Sequence, residues 1–203
     1  FSHSSAAVVH GLQVSGTSPK VIHVASHIKG NAPFGIQKHA LTSSDAAECV
    51  CIGGVRATSL WRTVFDCLRS MPAEEALVVA DSALRKTGRD AIWLVNMLRA
   101  KYRNHSGLSH AISIARFADG RSENGGESHA RAMIIRLGFE TPELQAVFPD
   151  PVDTTHSYRT DFAWWNDFDA PTVIGELDGY CKTEDDRCLQ GRSPSRVLAD
   201  ERR

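Results

Sequence analysis

Three acidic residues lie in or directly behind short apolar runs near the C-terminal end of this sequence, and this placement constrains the fold more than any other feature. Asp161 lies within residues 158–165, and Glu176 and Asp178 end a run that begins at residue 172. Both runs are rich in β-branched and aromatic residues, which predicts buried strands. Because side chains alternate across a strand, Glu176 and Asp178 are expected on one face. The sequence therefore predicts carboxylates inside a sheet, where they are unexpected.

A metal ion is one explanation of this cluster. If the two predicted strands pair, Asp161 joins the other acids, and carboxylates about 4 Å apart at an effective dielectric near 20 repel by roughly 4 kcal/mol. A bound divalent cation cancels that repulsion, and hard oxygen ligands in a small cluster suit Mg²⁺ or Mn²⁺ better than zinc. We therefore interpret Asp161, Glu176 and Asp178 as candidate metal ligands. The alternative is a solvated strand end followed by a turn at Asp178 and Gly179.

The residues upstream predict a helix and a further strand. Residues 123–138 combine an acidic start, an apolar stretch and a glycine at the C-terminal cap, which is typical of a helix. Glu127 is expected near the start of this helix. Residues 141–148 then predict a strand that is entered through Pro142. The predicted order of elements is helix, strand, strand, strand.

This order, with an acid on the helix, an aspartate on the second strand and a Glu-x-Lys-like element on the third, resembles the PD-(D/E)xK nucleases. Four motifs carry a closer resemblance, and they are Glu127-Ser128, Pro142 with Gln145, Arg159-x-Asp161-Phe162 and Glu176-x-Asp178-Gly179-x-x-Lys182. Together they resemble a bacterial family of endonuclease-like domains that is related to very-short-patch repair endonucleases. The resemblance implies an α/β (α+β) fold in which residues 121–203 form a restriction-endonuclease-like αβββ core. We expect this core to be incomplete at its C-terminal end, without its last helix and strand.

The same resemblance implies a DNA endonuclease that hydrolyses phosphodiester bonds with Mg²⁺ or Mn²⁺. Asp161 and Glu176 are the implied primary metal ligands, and Arg131 and Arg159 are the implied contacts with DNA. The implied catalytic residues carry an acidic or an ammonium group, and they are Glu127, Asp161, Glu176, Asp178 and Lys182.

The chain departs from the superfamily pattern at one position. The residue two after Glu176 is Asp178, where the superfamily has a lysine that positions the attacking water and offsets charge in the transition state. Lys182 either returns an ammonium group to the site or is an ordinary surface lysine. This departure keeps open a second hypothesis, in which the chain is a non-enzymatic DNA-binding antitoxin or transcriptional regulator with a degenerate nuclease fold.

Residues 1–120 carry a second resemblance. Residues 2–12, 21–24 and 58–66 resemble the body of AbiEi-type abortive-infection antitoxins. That resemblance implies DNA and a cognate toxin or partner subunit as partners. A winged helix precedes this region in that group, whereas this sequence begins at Phe1 without a methionine, so we expect a piece of a longer protein.

Apolar spacing and capping signals predict a scaffold in this first half. Short strands are expected over residues 21–24 and 34–41, and helices are expected to begin near Ser59, Pro72 and Asp90. The apolar faces of these helices predict core packing rather than a ligand site.

The amino-acid composition excludes few classes of protein function. A net charge of -1 gives no overall attraction to DNA. Five cysteines, an odd number, argue against a disulfide scaffold, their spacing does not favour structural zinc, and the nine histidines look scattered. No apolar run reaches the length of a transmembrane helix, so we expect a cytoplasmic protein without a membrane partner.

Overall fold

The structure is a computed structural model, and it describes residues 1–15, 21–27, 30–153, 155–168 and 170–178. Within these ranges the chain has a mixed α+β fold with seven helices and three small sheets. The helices are α1 (His3–Val9), α2 (Ser43–Ala47), α3 (Leu60–Ser70), α4 (Ala73–Thr87), α5 (Ala91–Lys101), α6 (Leu108–Ala115) and α7 (Gly125–Arg136). The strands are β1 (Ile22–Ser26), β2 (Ile36–Ala40), β3 (Val50–Ile52), β4 (Val55–Ala57), β5 (Glu143–Pro149), β6 (Ser157–Trp165) and β7 (Pro171–Gly175).

The hydrophobic core is helical and is centred on α4. Every residue of α4 from Ala76 to Leu84 is buried. The side chain of Phe65 on α3 stacks on Tyr102 behind α5, with ring centroids 4.2 Å apart. The predicted helix starts are confirmed, because α3 and α4 begin directly after Ser59 and Pro72 and the Asp90 side chain accepts a hydrogen bond from Trp93 N–H at 2.7 Å. Proline and aspartate therefore act as the start signals that their chemistry suggests.

The first half also carries two small sheets. β1 and β2 pair in parallel as a two-stranded sheet, and β3 and β4 form an antiparallel hairpin. The two predicted strands over residues 21–24 and 34–41 are confirmed in β1 and β2, with shifted ends. The helices α1, α2 and α6 were not predicted, and they are short, with five to eight residues each. A two-stranded sheet is marginal by itself, so the β1-β2 sheet depends on its contact with α1.

The second half follows the predicted order of helix and three strands. α7 leads into an antiparallel sheet with strand order β5-β6-β7. The predicted extent of the last strand is wrong, because β7 ends at Gly175 and not at Asp178. The backbone N–H of Leu177 bonds to the side chain of Asp161 instead of a neighbouring strand, so Glu176 and Asp178 do not share the face of a strand.

α7 joins this sheet to the helical core. It packs against α4, and Ala132 on α7 belongs to the core cluster. The boundary predicted between residues 120 and 121 therefore crosses a buried contact. In the part of the chain that the structure describes, no helix has both the length and the apolar character needed to cross a membrane.

Candidate acidic site

The first turn of α7 holds Glu127 in a fixed position. Asn124 caps the helix, and its side-chain oxygen accepts a hydrogen bond from Glu127 N–H at 3.0 Å. The Glu127 carboxylate in turn accepts the backbone N–H of Glu123 at 2.7 Å and the side-chain amide of Asn124. This reciprocal arrangement is similar to a capping box, except that Glu127 accepts the N–H of the residue before the cap. It leaves Glu127 only 3% exposed, although the residue carries a carboxylate.

Gln145 on β5 connects Glu127 to Asp161 on β6. Its side-chain amide donates to Glu127 Oε2 at 3.1 Å and reaches Asp161 Oδ1 at 3.5 Å. One amide nitrogen therefore bridges two carboxylates that come from a helix and a strand.

The backbone of Gln145 is strained. Its φ angle is +56°, a left-handed conformation that residues other than glycine seldom adopt. The cross-strand pairs on either side are Leu144 with Phe162 and Ala146 with Thr160, and Gln145 stands between these two pairs in the strand. Such conformations store about 1–3 kcal/mol and gather at functional sites. This strain is a local signal that the orientation of the Gln145 side chain is maintained by its surroundings.

Asp161 is fixed from the opposite side by the chain that follows β7. Its Oδ2 atom accepts a hydrogen bond from Leu177 N–H at 2.9 Å. The Leu177 side chain lies against the start of α7, where a Cβ atom on Gly126 would be 2.8 Å from Leu177 Cδ2. Glycine at this position therefore leaves space for the Leu177 side chain beside the start of α7.

Burial and charge act together on Glu127. Burial raises the pKa of its carboxyl group above the ordinary value, and the negative charge of Asp161 raises it further. The hydrogen bonds from the Glu123 N–H and from Gln145 oppose the rise, because they favour the ionised form. The site thus holds two acids with different surroundings, one of them more basic than a surface glutamate.

The other predicted acids lie at the rim of this site. Glu176 and Asp178 are exposed and flank Leu177 in the chain. Asp161, Glu176 and Asp178 do not converge as a group of three, because the one group of three potential ligand residues within 4.8 Å among the described residues is His3, His23 and His39. Lys182 lies outside the described residues. The structure therefore brings Glu127 and Asp161 together and leaves Glu176 and Asp178 beside them.

The two predicted DNA contacts have different surroundings. The prediction for Arg131 is wrong, because this side chain is 2% exposed and forms an ion pair of 2.6 Å with the buried Asp81 on α4. Arg159 is half-exposed and pairs with Glu123 at 2.8 Å. Since Arg159 stands two residues before Asp161 on β6, both side chains point to the same side of the strand.

Two features were missed at the sequence level. Gln145 belonged to a motif, but its bridging role depends on a φ angle that no residue pattern reveals. The histidine cluster joins residues from α1, β1 and β2, and no local spacing connects positions 3, 23 and 39. The prediction that the histidines are scattered is therefore wrong for these three.

Known proteins similar to this chain include two from Mycobacterium tuberculosis. They are "Uncharacterized protein MT2308" of strain CDC 1551 / Oshkosh and "Uncharacterized protein Rv2248" of strain ATCC 25618 / H37Rv. Each is 34% identical over 113 residues, which cover 56% of this chain and 41% of the relative, so the chain spans less than half the length of these relatives. No protein-family model matches the chain, and no solved structure matches it.

Proposed function

We propose that this chain is a metal-dependent DNA endonuclease of the PD-(D/E)xK type, with its catalytic site around Glu127 and Asp161. The observation that carries the proposal is the Gln145 amide, which bridges these two carboxylates. The order of α7, β5, β6 and β7 is the second support, because it places an acid on the helix and an aspartate on the middle strand. The motifs at residues 127–128 and 159–162 resemble that superfamily and add to the proposal.

The residues at the site fit a hard divalent cation. Mg²⁺ keeps several waters and is usually bound by one or two carboxylates together with substrate phosphates. Asp161 would supply one carboxylate and the exposed Glu176 beside it a second, and Asp178 and Glu127 would reach the ion through water. A bound Mg²⁺ or Mn²⁺ would polarise the phosphate and lower the pKa of a water.

The side chains of this site then have separate roles. Gln145 holds the two carboxylates apart and oriented, because its single amide nitrogen faces an oxygen of each. Glu127 has a raised pKa, so it accepts a proton from an attacking water more readily than an ordinary glutamate does. Arg159 is half-exposed on the strand of Asp161 and can exchange Glu123 for a DNA phosphate.

One sequence feature favours a second function. Asp178 stands where the superfamily has its lysine, and a chain without that lysine would keep the fold for recognition alone. In this alternative the chain is a non-enzymatic DNA-binding antitoxin or transcriptional regulator, and a cognate toxin or partner subunit is its second partner.

Cleavage of supercoiled plasmid and short DNA duplexes with Mg²⁺ or Mn²⁺ tests the proposal. We expect nicking by the unaltered chain and a loss of about 100-fold or more in Asp161→Asn and Glu127→Gln, since each variant removes a charge that positions the metal and the water. Asp167→Asn is the matched control, because Asp167 lies in the exposed turn between β6 and β7. No cleavage with either metal, together with DNA binding measured by fluorescence anisotropy, would contradict the nuclease and favour the regulator.

A further inference from the structure

Three histidines from separate elements lie close together in the first half of the chain. His3 is the first residue of α1, His23 lies on β1 and His39 lies on β2. One nitrogen from each imidazole can be chosen so that all three lie within 4.8 Å of one another. His3 is buried, whereas His23 and His39 are partly exposed, so the cluster opens to solvent on the side of the sheet.

The rings already have close nitrogen contacts. His23 Nδ1 lies 2.8 Å from His39 Nε2, and the ring of His3 stacks on that of His39 with centroids 3.6 Å apart. A zinc ion bonded to imidazole nitrogens at about 2.0–2.1 Å in a tetrahedron separates those nitrogens by roughly 3.3 Å. To bind one ion, the His23 and His39 nitrogens therefore move slightly apart, and the stacked rings turn until one nitrogen of each points at the same centre.

The histidines are in the form that binds metal. Burial, together with the neighbouring His39, His23, Arg69 and Arg62, lowers the pKa of His3 to about 3. Burial is also the main cause that lowers the pKa of His39 to about 4 and that lowers the pKa of His23. All three imidazoles are therefore neutral at pH 7, which is the protonation state of a metal ligand.

Two arginines act on the cluster, and both are held in ion pairs. Arg69 and Arg62 are the cations that lower the pKa of His3. Both pair with Asp66, Arg62 at 2.9 Å and Arg69 at 2.8 Å, and Arg62 also pairs with Asp45. Asp66 and Asp45 therefore offset part of the positive charge of the two arginines, and the part that remains still lowers the pKa of His3.

Backbone contacts bring α1 and β1, which carry two of the histidines, together before any ion binds. His3 has a φ angle of +51°, and among the described residues His3 and Gln145 are the two that combine a positive φ with a side chain. Ser2 N–H donates to the carbonyl of His23 at 3.0 Å, and His23 N–H donates to Ser5 Oγ at 2.9 Å. These bonds tie α1 to β1 at the position of the cluster and support the strained conformation of His3.

We propose that His3, His23 and His39 form a binding site for a transition-metal ion of the zinc class. Imidazole nitrogens suit Zn²⁺, Co²⁺ and Ni²⁺, whereas carboxylate and carbonyl oxygens suit Mg²⁺. The ion ties α1 to the two-stranded parallel sheet, which is marginal by itself. A fourth position toward the exposed side is taken by water.

Zinc content tests the site directly. The tag-free chain is loaded with Zn²⁺, dialysed against metal-free buffer and analysed by mass spectrometry for metal. We expect one zinc per chain, and a zinc dissociation constant raised by at least about 100-fold in His39→Gln, because even the outer partners of metal ligands contribute 10–100-fold. His110→Gln is the matched control, since His110 is exposed on α6.

Two further variants keep the test decisive if His39→Gln folds poorly. His39→Cys replaces one zinc ligand with another and is expected to retain zinc, which a purely structural histidine would not predict. Cys51→Ser removes an exposed thiol on β3 and is expected to change nothing. No zinc on the unaltered chain, equal zinc on His39→Gln, or loss of zinc in Cys51→Ser would each overturn the proposal.

Discussion

The acidic site and the histidine cluster are built on supports of very different strength. The acidic site rests on α7, which is anchored in the core through the buried ion pair of Arg131 and Asp81. The histidine cluster rests on two paired strands and a helix of seven residues, and two of its three side chains are partly exposed. Each site nevertheless contains one residue with a strained backbone, Gln145 in the first and His3 in the second. The difference teaches that packing fixes the geometry of the acidic site, whereas a bound ligand can still complete the geometry of the histidine cluster.

Hydrogen exchange of the metal-free chain should show the largest difference between the two supports. We expect the amides of α4 to exchange only through global unfolding, with a free energy of opening on the order of 5–15 kcal/mol. The amides of β1 and β2 should exchange through local opening, with a free energy several kcal/mol lower. The reason is that α4 is buried along Ala76 to Leu84 while the strands are half-exposed. Zinc should slow exchange in α1, β1 and β2, which carry the three histidines, and leave exchange in α4 unchanged. Equal protection of β1, β2 and α4 without metal would contradict the comparison.

The anchor of the acidic site can be removed with Asp81→Ala. This change leaves Arg131 buried without its partner and removes the acceptor of the Asp119 N–H, so we expect the free energy of unfolding to fall by about 3–5 kcal/mol in urea denaturation. Glu48→Ala is the control, because Glu48 pairs with Lys101 at the surface and its loss should change stability by about 1 kcal/mol or less. Similar values for the two variants would show that α7 is not anchored in this way.

The backbone strain at Gln145 can be tested with two substitutions, whose expected effect on the free energy of unfolding is smaller. Gln145→Gly removes the steric penalty of the positive φ angle, whereas Gln145→Ala keeps that penalty and loses the amide. We therefore expect the glycine variant to be more stable than the alanine variant by about 1 kcal/mol. At Val147, an exposed residue of the same strand, the order should be reversed, because glycine weakens an ordinary strand. A more stable alanine variant at position 145 would argue against stored strain.

Much of the fold could be predicted from the sequence, because local chemistry decides it. Pro72 and Asp90 begin helices through their own backbone and side-chain preferences, and α7 begins after Asn124 with the acidic Glu127 in its first turn. The order of α7, β5, β6 and β7 is likewise a product of local apolar patterns. The helix, the three strands and the position of Glu127 near the helix start are therefore encoded in short segments of the chain.

The errors come from contacts between residues that are distant in the chain. Arg131 was expected to contact DNA, but its partner Asp81 lies 50 residues earlier, and α4 covers that face of α7. β7 ends before the predicted residue 178, and the Leu177 N–H donates a hydrogen bond to the Asp161 side chain instead of to a strand. His3, His23 and His39 come together only through the parallel pairing of β1 and β2 and the contact of α1. Patterns within one segment cannot report such contacts.

One experiment can test whether the acidic site and the histidine cluster are separate metal sites that prefer different ions. Mn²⁺ binding is followed by electron paramagnetic resonance and Zn²⁺ binding by calorimetry, on the unaltered chain, Asp161→Asn and His39→Gln. We expect Asp161→Asn to lose Mn²⁺ and keep Zn²⁺, and His39→Gln to lose Zn²⁺ and keep Mn²⁺, because carboxylate oxygens and imidazole nitrogens prefer different ions. Loss of both metals in one variant, or Mn²⁺ binding that survives in Asp161→Asn, would contradict an acidic metal site separate from the histidines.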